Sequence, residues 1–258
     1  MIRNRFEWMQ GMGLSPNLVT LISILKVCGS IGAIIKGKEI HDYIVNNRLL
    51  QDDVSLGNAL VDMYAKCGTL AKAKQVLQEL HVRNVISWSS LIVGYAQQGL
   101  CHEALITFEQ MQLDGVSPDA ITFVGVLHAC SRSGLLNEAQ MLYRNMDAKY
   151  GICPKLSHHI CMVMAYGSAG LFDKAMSVIK EMPLSDSLDV WLALLGSCKH
   201  WGNVRLGNVA FDEAVRIENT CATAFVLMVN ILVAAGLHED AARVDMMRFK
   251  YDGLKEQS

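Results

Sequence analysis

The sequence predicts an all-α protein, a right-handed α-solenoid of stacked helix-turn-helix repeats. Three observations predict it. Glycine recurs at Gly32, Gly68, Gly99, Gly134, Gly170, Gly202 and Gly236, at intervals of 36, 31, 35, 36, 32 and 34 residues. Each glycine follows an apolar stretch, as in Tyr64-Ala65-Lys66-Cys67-Gly68 and Tyr95-Ala96-Gln97-Gln98-Gly99, and precedes a run that often contains alanine. Apolar residues on both sides of it recur at helical spacing. Periods of this size belong to arrays in which each unit contacts only its neighbours.

The unit 85–119 shows the logic. Trp88, Leu91, Ile92 and Tyr95 lie at i, i+3, i+4 and i+7, one face of a first helix. Gly99 ends that helix, because a left-handed C-terminal cap suits a residue without a side chain. Ala104, Phe108 and Met111 mark the buried face of a second helix, and Gly115-Val116-Ser117-Pro118-Asp119 turns the chain into the next unit.

The remaining elements follow in phase. Residues 1–17, with Phe6, Met9 and then Gly13 to Asn17, match only the second half of a unit, so the chain reads as beginning inside a repeat, a truncated product with an apolar edge. Unit 18–53 opens on the most apolar stretch, Leu18 to Ile35. Lys26, Ser30 and its glycines interrupt that stretch, so it is no membrane span. In unit 54–84, Leu60, Met63 and Tyr64 precede Gly68, and Ala73, Leu77 and Leu80 follow it. Phe123, Val126, Leu127 and Cys130 precede Gly134 in unit 120–155, and Ala139, Tyr143 and Met146 follow it. Unit 156–187 carries Met162, Val163 and Tyr166, then Ala175, Ile179 and Met182, and Pro183 stops its second helix. Units 188–219 and 220–258 complete the chain. The small alanine of each second helix allows close approach of the pair.

Composition narrows the function. The chain of 258 residues is 52% hydrophobic and 19% charged, enough for a core, and its four prolines leave little room for linkers. A net charge of −2 argues against unspecific duplex binding, which favours basic proteins. None of the eight cysteines forms a C-x-x-C pair, so they read as reduced, buried thiols. No secretory signal follows Arg3, Arg5 and Glu7. His158 and His159 are adjacent and point apart on a helix, so they are no metal pair. Gly37-Lys38 lacks the remainder of a phosphate loop. Trp88 and Trp191 fall at packing positions; Trp201, in a turn, is open. No cofactor is expected.

The words themselves carry a resemblance. Trp88-Ser89-Ser90-Leu91-Ile92 with Tyr95-Ala96-Gln97, and Gly115 to Asp119, resemble pentatricopeptide repeats. Asn58 to Gly68 is similar to the short-type repeat of the plant-expanded PLS subclass, and Gly37-Lys38-Glu39-Ile40-His41 to a long-type second helix. The order would be long, short, standard, long and short over units 18–53 to 156–187. Val190 to Cys198 with His200 to Val204 resembles the first E-type extension motif of organellar RNA-editing factors, and Ala224 to Gly236 the second.

The resemblance implies binding of single-stranded organellar RNA, in a mitochondrion or chloroplast, and selection of cytidines for conversion to uridine. Fuller members carry a DYW-type cytidine deaminase domain. This sequence holds neither the H-x-E nor the P-C-x-x-C element that zinc deaminases need, so it is expected not to be an enzyme, and a deaminase would act in trans.

In the family, the fifth and last residues of a unit read one base. Carried over, the pairs are Ile22 with Asp53, Asn58 with Asn84, Ser89 with Asp119, Val124 with Lys155, and Ile160 with Ser187. Asn58 with Asn84 implies a pyrimidine; Ser89 with Asp119 implies guanine, whose ring N–H and amino group suit a carboxylate. Ile22, Val124 and Ile160 pack but cannot read an edge. Val19, Ile86 and Ile121 hold the base-sandwiching position, with Ser55 and Ser157 as weaker occupants. Asn58 and Asp119 can equally be helix caps. A protein-interaction solenoid of tetratricopeptide type, or an inactive fragment of a larger editing factor, remains the alternative.

Overall fold

The computed structural model describes residues 12, 15–50, 53–182 and 187–255, with side chains of the last helix described through Arg248. The predicted half-repeat with Phe6 and Met9, and Pro183, lie outside the described residues. Fourteen α-helices and no strand are present among them. They are α1 (Leu18–Ile31), α2 (Ile34–Asn46), α3 (Val54–Lys66), α4 (Leu70–Glu79), α5 (Val85–Gln97), α6 (Cys101–Leu113) and α7 (Ala120–Arg132). Then follow α8 (Leu136–Tyr150), α9 (Leu156–Ser168), α10 (Phe172–Glu181), α11 (Leu188–Trp201), α12 (Val204–Ile217), α13 (Ala222–Ala234) and α14 (His238–Lys255). No described helix is long and apolar enough to cross a membrane.

All seven glycines of the series adopt a positive φ, between 64° and 76°. A second helix begins two residues after each of them. Side chains resist this region, so the glycine period and the helix-pair period are one constraint. Four of the first helices have their start set by a side chain just outside them. Asn17, Asp53, Asn84 and Asp119 each accept a backbone N–H two or three residues ahead. Such caps are worth about 1 kcal/mol each.

The described chain divides into two compact units at Ala129 and Cys130, inside α7. In the first, α1 packs on α3 and α3 on α5, while α2, α4 and α6 each pack on their own first helix. Trp88, Leu91, Ile92 and Tyr95 are buried, as are Leu60, Met63 and Tyr64. In the second, α9 packs on α11 and α11 on α13, around Val163, Ile179, Trp191, Leu194, Phe211 and Phe225. Ala73, Ala104, Ala139 and Ala175 of the second helices are wholly buried.

Close approach also occurs between first helices, where the sequence offered no sign of it. A Cβ on Gly94 of α5 would lie 2.8 Å from Ala65 Cβ of α3. In the second unit, a Cβ on Gly167 would run into the Ser197 side chain. The cysteines divide less simply than expected. Six are buried, but Cys67 is half-buried and Cys153 is exposed. Cys153 lies in the segment between α8 and α9, outside any packed helix face.

Candidate nucleic-acid interface

The second residue of each first helix stands in solvent. Val19 is 70% exposed, Ile86 56% and Ile121 62%. Ser55 and Ser157 are exposed at the same place. Three exposed β-branched residues at equivalent N-terminal positions are not explained by packing within the chain.

Between Ile86 and Ile121 lies a recess of about 280 Å³, with Ser89, Ser90 and Asp119 in its lining. Beside it is a second recess, of about 440 Å³, lined by Ile22, Lys26, Ser55, Asn58, Ile86 and Ser90. Ile86 belongs to both and separates them. Asp62 also lines both, and its carboxylate accepts from Lys66 Nζ at 2.8 Å.

The polar groups of the first recess form a chain. Ser89 is buried, with its Oγ 2.7 Å from Thr122 Oγ1. Thr122 Oγ1 donates to Asp119 Oδ1 at 2.8 Å, and the Thr122 amide donates to the same oxygen at 2.8 Å. The Asp119 amide returns a bond to Thr122 Oγ1 at 3.1 Å. This reciprocal arrangement caps α7. Asp119 therefore is a cap, and it also faces the recess.

In the second recess Asn58 is 7% exposed, and its Oδ1 is buried without a hydrogen-bond partner. An unpartnered buried carbonyl costs about 1–3 kcal/mol, which a donor reaching it would recover. Asn58 is no cap; it lies within α3. No hydrogen bond joins it to Asn84. Asn84 instead caps α5, accepting from the Ile86 and Ser87 amides at 3.0 and 3.1 Å.

The other expected pairs are less organised. Ile22 is half-buried in the Asn58 recess, and Asp53 caps α3 by accepting from the Ser55 amide. Val124 is half-buried on α7 in the first unit. Lys155 is exposed at the start of α9 in the second, where its amide donates to His158 Nδ1 at 2.9 Å. Ile160 packs against the core of the second unit, and half-buried Ser187 precedes α11 without a side-chain capping bond.

The two histidines serve the fold. His158 is buried, and His159 Nδ1 lies 2.9 Å from Tyr143 Oη. Burial holds the His159 pKa below its usual value, and the neighbouring His158 adds to this. Trp201, open in the sequence, is 52% exposed. Its indole N–H donates to the Ser168 carbonyl at 3.3 Å, and its ring covers the Gly170 turn.

Sequence reasoning missed Thr122 and the double role of Ile86. Thr122 carried a signal, a hydroxyl three residues after an N-cap carboxylate.

A model of the PPR repeat family matches residues 83–132, and a PPR repeat model matches residues 58–85, 121–149 and 159–186. Pentatricopeptide repeat-containing protein At4g14820 of Arabidopsis thaliana is 36% identical over 252 residues, 98% of this chain and 35% of its own length. Pentatricopeptide repeat-containing protein At3g53360, mitochondrial, of the same plant is 38% identical over 97% of this chain and 32% of its own. The chain thus spans about a third of the length of these curated relatives.

Among solved structures, the pentatricopeptide repeat protein PPR10 in complex with an 18-nt psaJ RNA element superimposes with a TM-score of 0.77 at 16% identity. It covers 98% of this chain and 38% of that one. The PPR domain of Arabidopsis thaliana protein-only RNase P 1, in complex with tRNA, gives a TM-score of 0.51 at 19% identity over 66% of this chain and 94% of that one. These likenesses establish the α-solenoid fold. With the repeat models and the relatives beside them, the chain belongs to the pentatricopeptide-repeat proteins of plant type.

Proposed function

We propose that this chain binds single-stranded RNA and reads bases at the junctions between its repeats. The carrying observation is the first recess, where Ser89 and Asp119 share the lining between exposed Ile86 and Ile121. Two aliphatic walls suit the faces of a base, and the hydroxyl and carboxylate suit its edge. Asn58, with its unpartnered carbonyl, supports a second reading position next to the first. Ile86 would lie between the two bases. The register is a pyrimidine at Asn58 with Asn84, followed by guanine at Ser89 with Asp119.

Ile22 with Asp53, Val124 with Lys155, and Ile160 with Ser187 contribute packing more than readout, because their fifth residues carry no hydrogen-bonding group. Val19 extends the row of aliphatic walls. RNA is bound in structures of PPR10 and of the RNase P domain, and the shared fold supports the same ligand class here.

The finer role is that of a site-recognition factor for organellar C-to-U editing, with chemistry supplied by a deaminase in trans. The likeness of Val190 to Cys198 and of Ala224 to Gly236 to E-type extension motifs supports it, with units of the PLS subclass ahead of them. Some relatives carry chloroplastic or mitochondrial in their names, which supports an organellar location.

The test is selection of bound sequences from a random single-stranded RNA pool at stated salt. Enrichment of a pyrimidine–guanine step, lost in the double variant Asn58→Ala/Asp119→Ala, is the expected result. A cooperatively melting sample that enriches nothing would overturn the reading in favour of a groove that holds a peptide.

A further inference from the structure

The hydroxyl of Thr122 has three neighbours and one proton. It lies 2.8 Å from Asp119 Oδ1, 3.1 Å from the Asp119 amide nitrogen and 2.7 Å from Ser89 Oγ. A hydroxyl offers one donor and two acceptor lone pairs. A carboxylate only accepts, so the proton of Thr122 goes to Asp119. The Asp119 N–H occupies one lone pair. The other is left for Ser89, which must therefore donate. The single proton of Ser89 is used up inside the protein, and its remaining lone pairs are all it can offer the recess.

We infer that Thr122 is the positioning residue that sets base preference at this recess. By holding the Ser89 proton it leaves Ser89 an acceptor beside the Asp119 carboxylate, which accepts in any case. The inference rests on the reading of the recess as a base site. A pair of acceptors selects an edge with two adjacent donors. Guanine has one, in its ring N–H and amino group. Adenine offers an acceptor beside a donor and places lone pair against lone pair. Uracil offers one donor between two acceptors.

The preceding junction shows that this arrangement is not a by-product of capping. Ser87 holds the place equivalent to Thr122. Its hydroxyl donates to the Asn84 carbonyl at 2.9 Å and accepts from the Asn84 amide at 3.1 Å. It makes no bond to Asn58, whose Oδ1 stays unpartnered. Polarity is fixed where threonine bridges and open where serine turns back on its own cap.

The test compares dissociation constants of the full chain for selected oligoribonucleotides that differ only in the base at this register. Thr122→Val keeps the shape and frees the Ser89 proton. The ratio favouring guanine over adenine should fall about tenfold, the worth of one hydrogen bond. Unchanged discrimination in a folded Thr122→Val protein would overturn the inference. Ser89→Ala leaves the cap intact and supplies a second measurement should Thr122→Val not fold. It should weaken guanine binding and spare adenine. Loss of adenine binding instead would mean that Ser89 donates, and the inference would fall. A parent protein without base preference at this register would remove the base-site reading itself, and the inference with it.

Discussion

Gly94→Ala is the sharpest test of how the first helices are held. The new Cβ would stand 2.8 Å from Ala65 Cβ, 3.0 Å from Leu70 Cδ2 and 3.4 Å from Ala65 Cα. Leu70 can rotate. Ala65 cannot, because its Cβ is fixed to the α3 backbone. The two helices must separate by a few tenths of an ångström, and overpacking of this kind costs about 1–3 kcal/mol. Replacing a helical glycine by alanine returns about 1 kcal/mol. The net loss is about 1 kcal/mol, and the melting temperature should fall by about 2–4 °C. Gly196→Ala is the control, since a Cβ there meets nothing within 4 Å. It keeps only the helix gain and should melt about 2–4 °C above the parent. Thermal unfolding followed by circular dichroism separates the pair. If Gly94→Ala melts as high as Gly196→Ala, the α3–α5 contact does not depend on glycine and the reasoning fails. Gly94 and Ala65 also line the Ser89 recess. RNA affinity should therefore drop in Gly94→Ala and hold in Gly196→Ala.

Other expectations follow from particular groups. Asp119→Asn keeps the acceptor that caps α7 and adds a donor, so its melting temperature should stay within about 2 °C while base preference moves from guanine towards adenine; an unchanged preference would refute the role given to the carboxylate. Ile86→Ser, at a residue 56% exposed, should change stability by less than about 0.5 kcal/mol yet weaken RNA binding at both recesses, as read by fluorescence anisotropy. Buried His41, with Nδ1 2.9 Å from Tyr64 Oη, has its pKa lowered chiefly by burial. The unfolded chain then binds the proton more readily, so stability is complete above the usual imidazole value of about 6.5 and declines as pH falls below it. His41→Phe should lessen that decline, leaving the share that His159 contributes, in melts taken across the range. Burial pushes the Cys161 thiol up to about 12 and Cys198 up to about 11, whereas Cys153 is exposed. Under native conditions a thiol reagent should label Cys153 first and leave Cys161 and Cys198 until the protein unfolds; mass spectrometry of the labelled peptides decides it.

Much of the fold can be read from one residue type at one interval. Gly32 through Gly236 mark each first-helix end because the left-handed region selects against side chains, a local preference that needs no tertiary contact. The helical faces were legible for the same reason. Trp88, Leu91, Ile92 and Tyr95 share a face by geometry alone, and all four are buried. The exposure of Val19, Ile86 and Ile121 also fits the repeat register, because equivalent places in a repeat meet equivalent surroundings.

The state of each candidate reader was not legible. Asn58, Asn84, Ser89 and Asp119 are all polar residues at the expected places, yet the structure gives each a different condition. Asn58 keeps a buried carbonyl without a partner, and Asn84 is engaged as a cap. Ser89 is bonded through Thr122 to Asp119, 30 residues further along the chain. Trp201 reaches back to the Gly170 turn, and Gly94 is pressed against Ala65. Periodicity tells which face a residue occupies, because that depends only on its own helix. It does not tell which proton goes to which lone pair. That depends on atoms brought within 3 Å by helices from different repeats, and only the packed structure decides it.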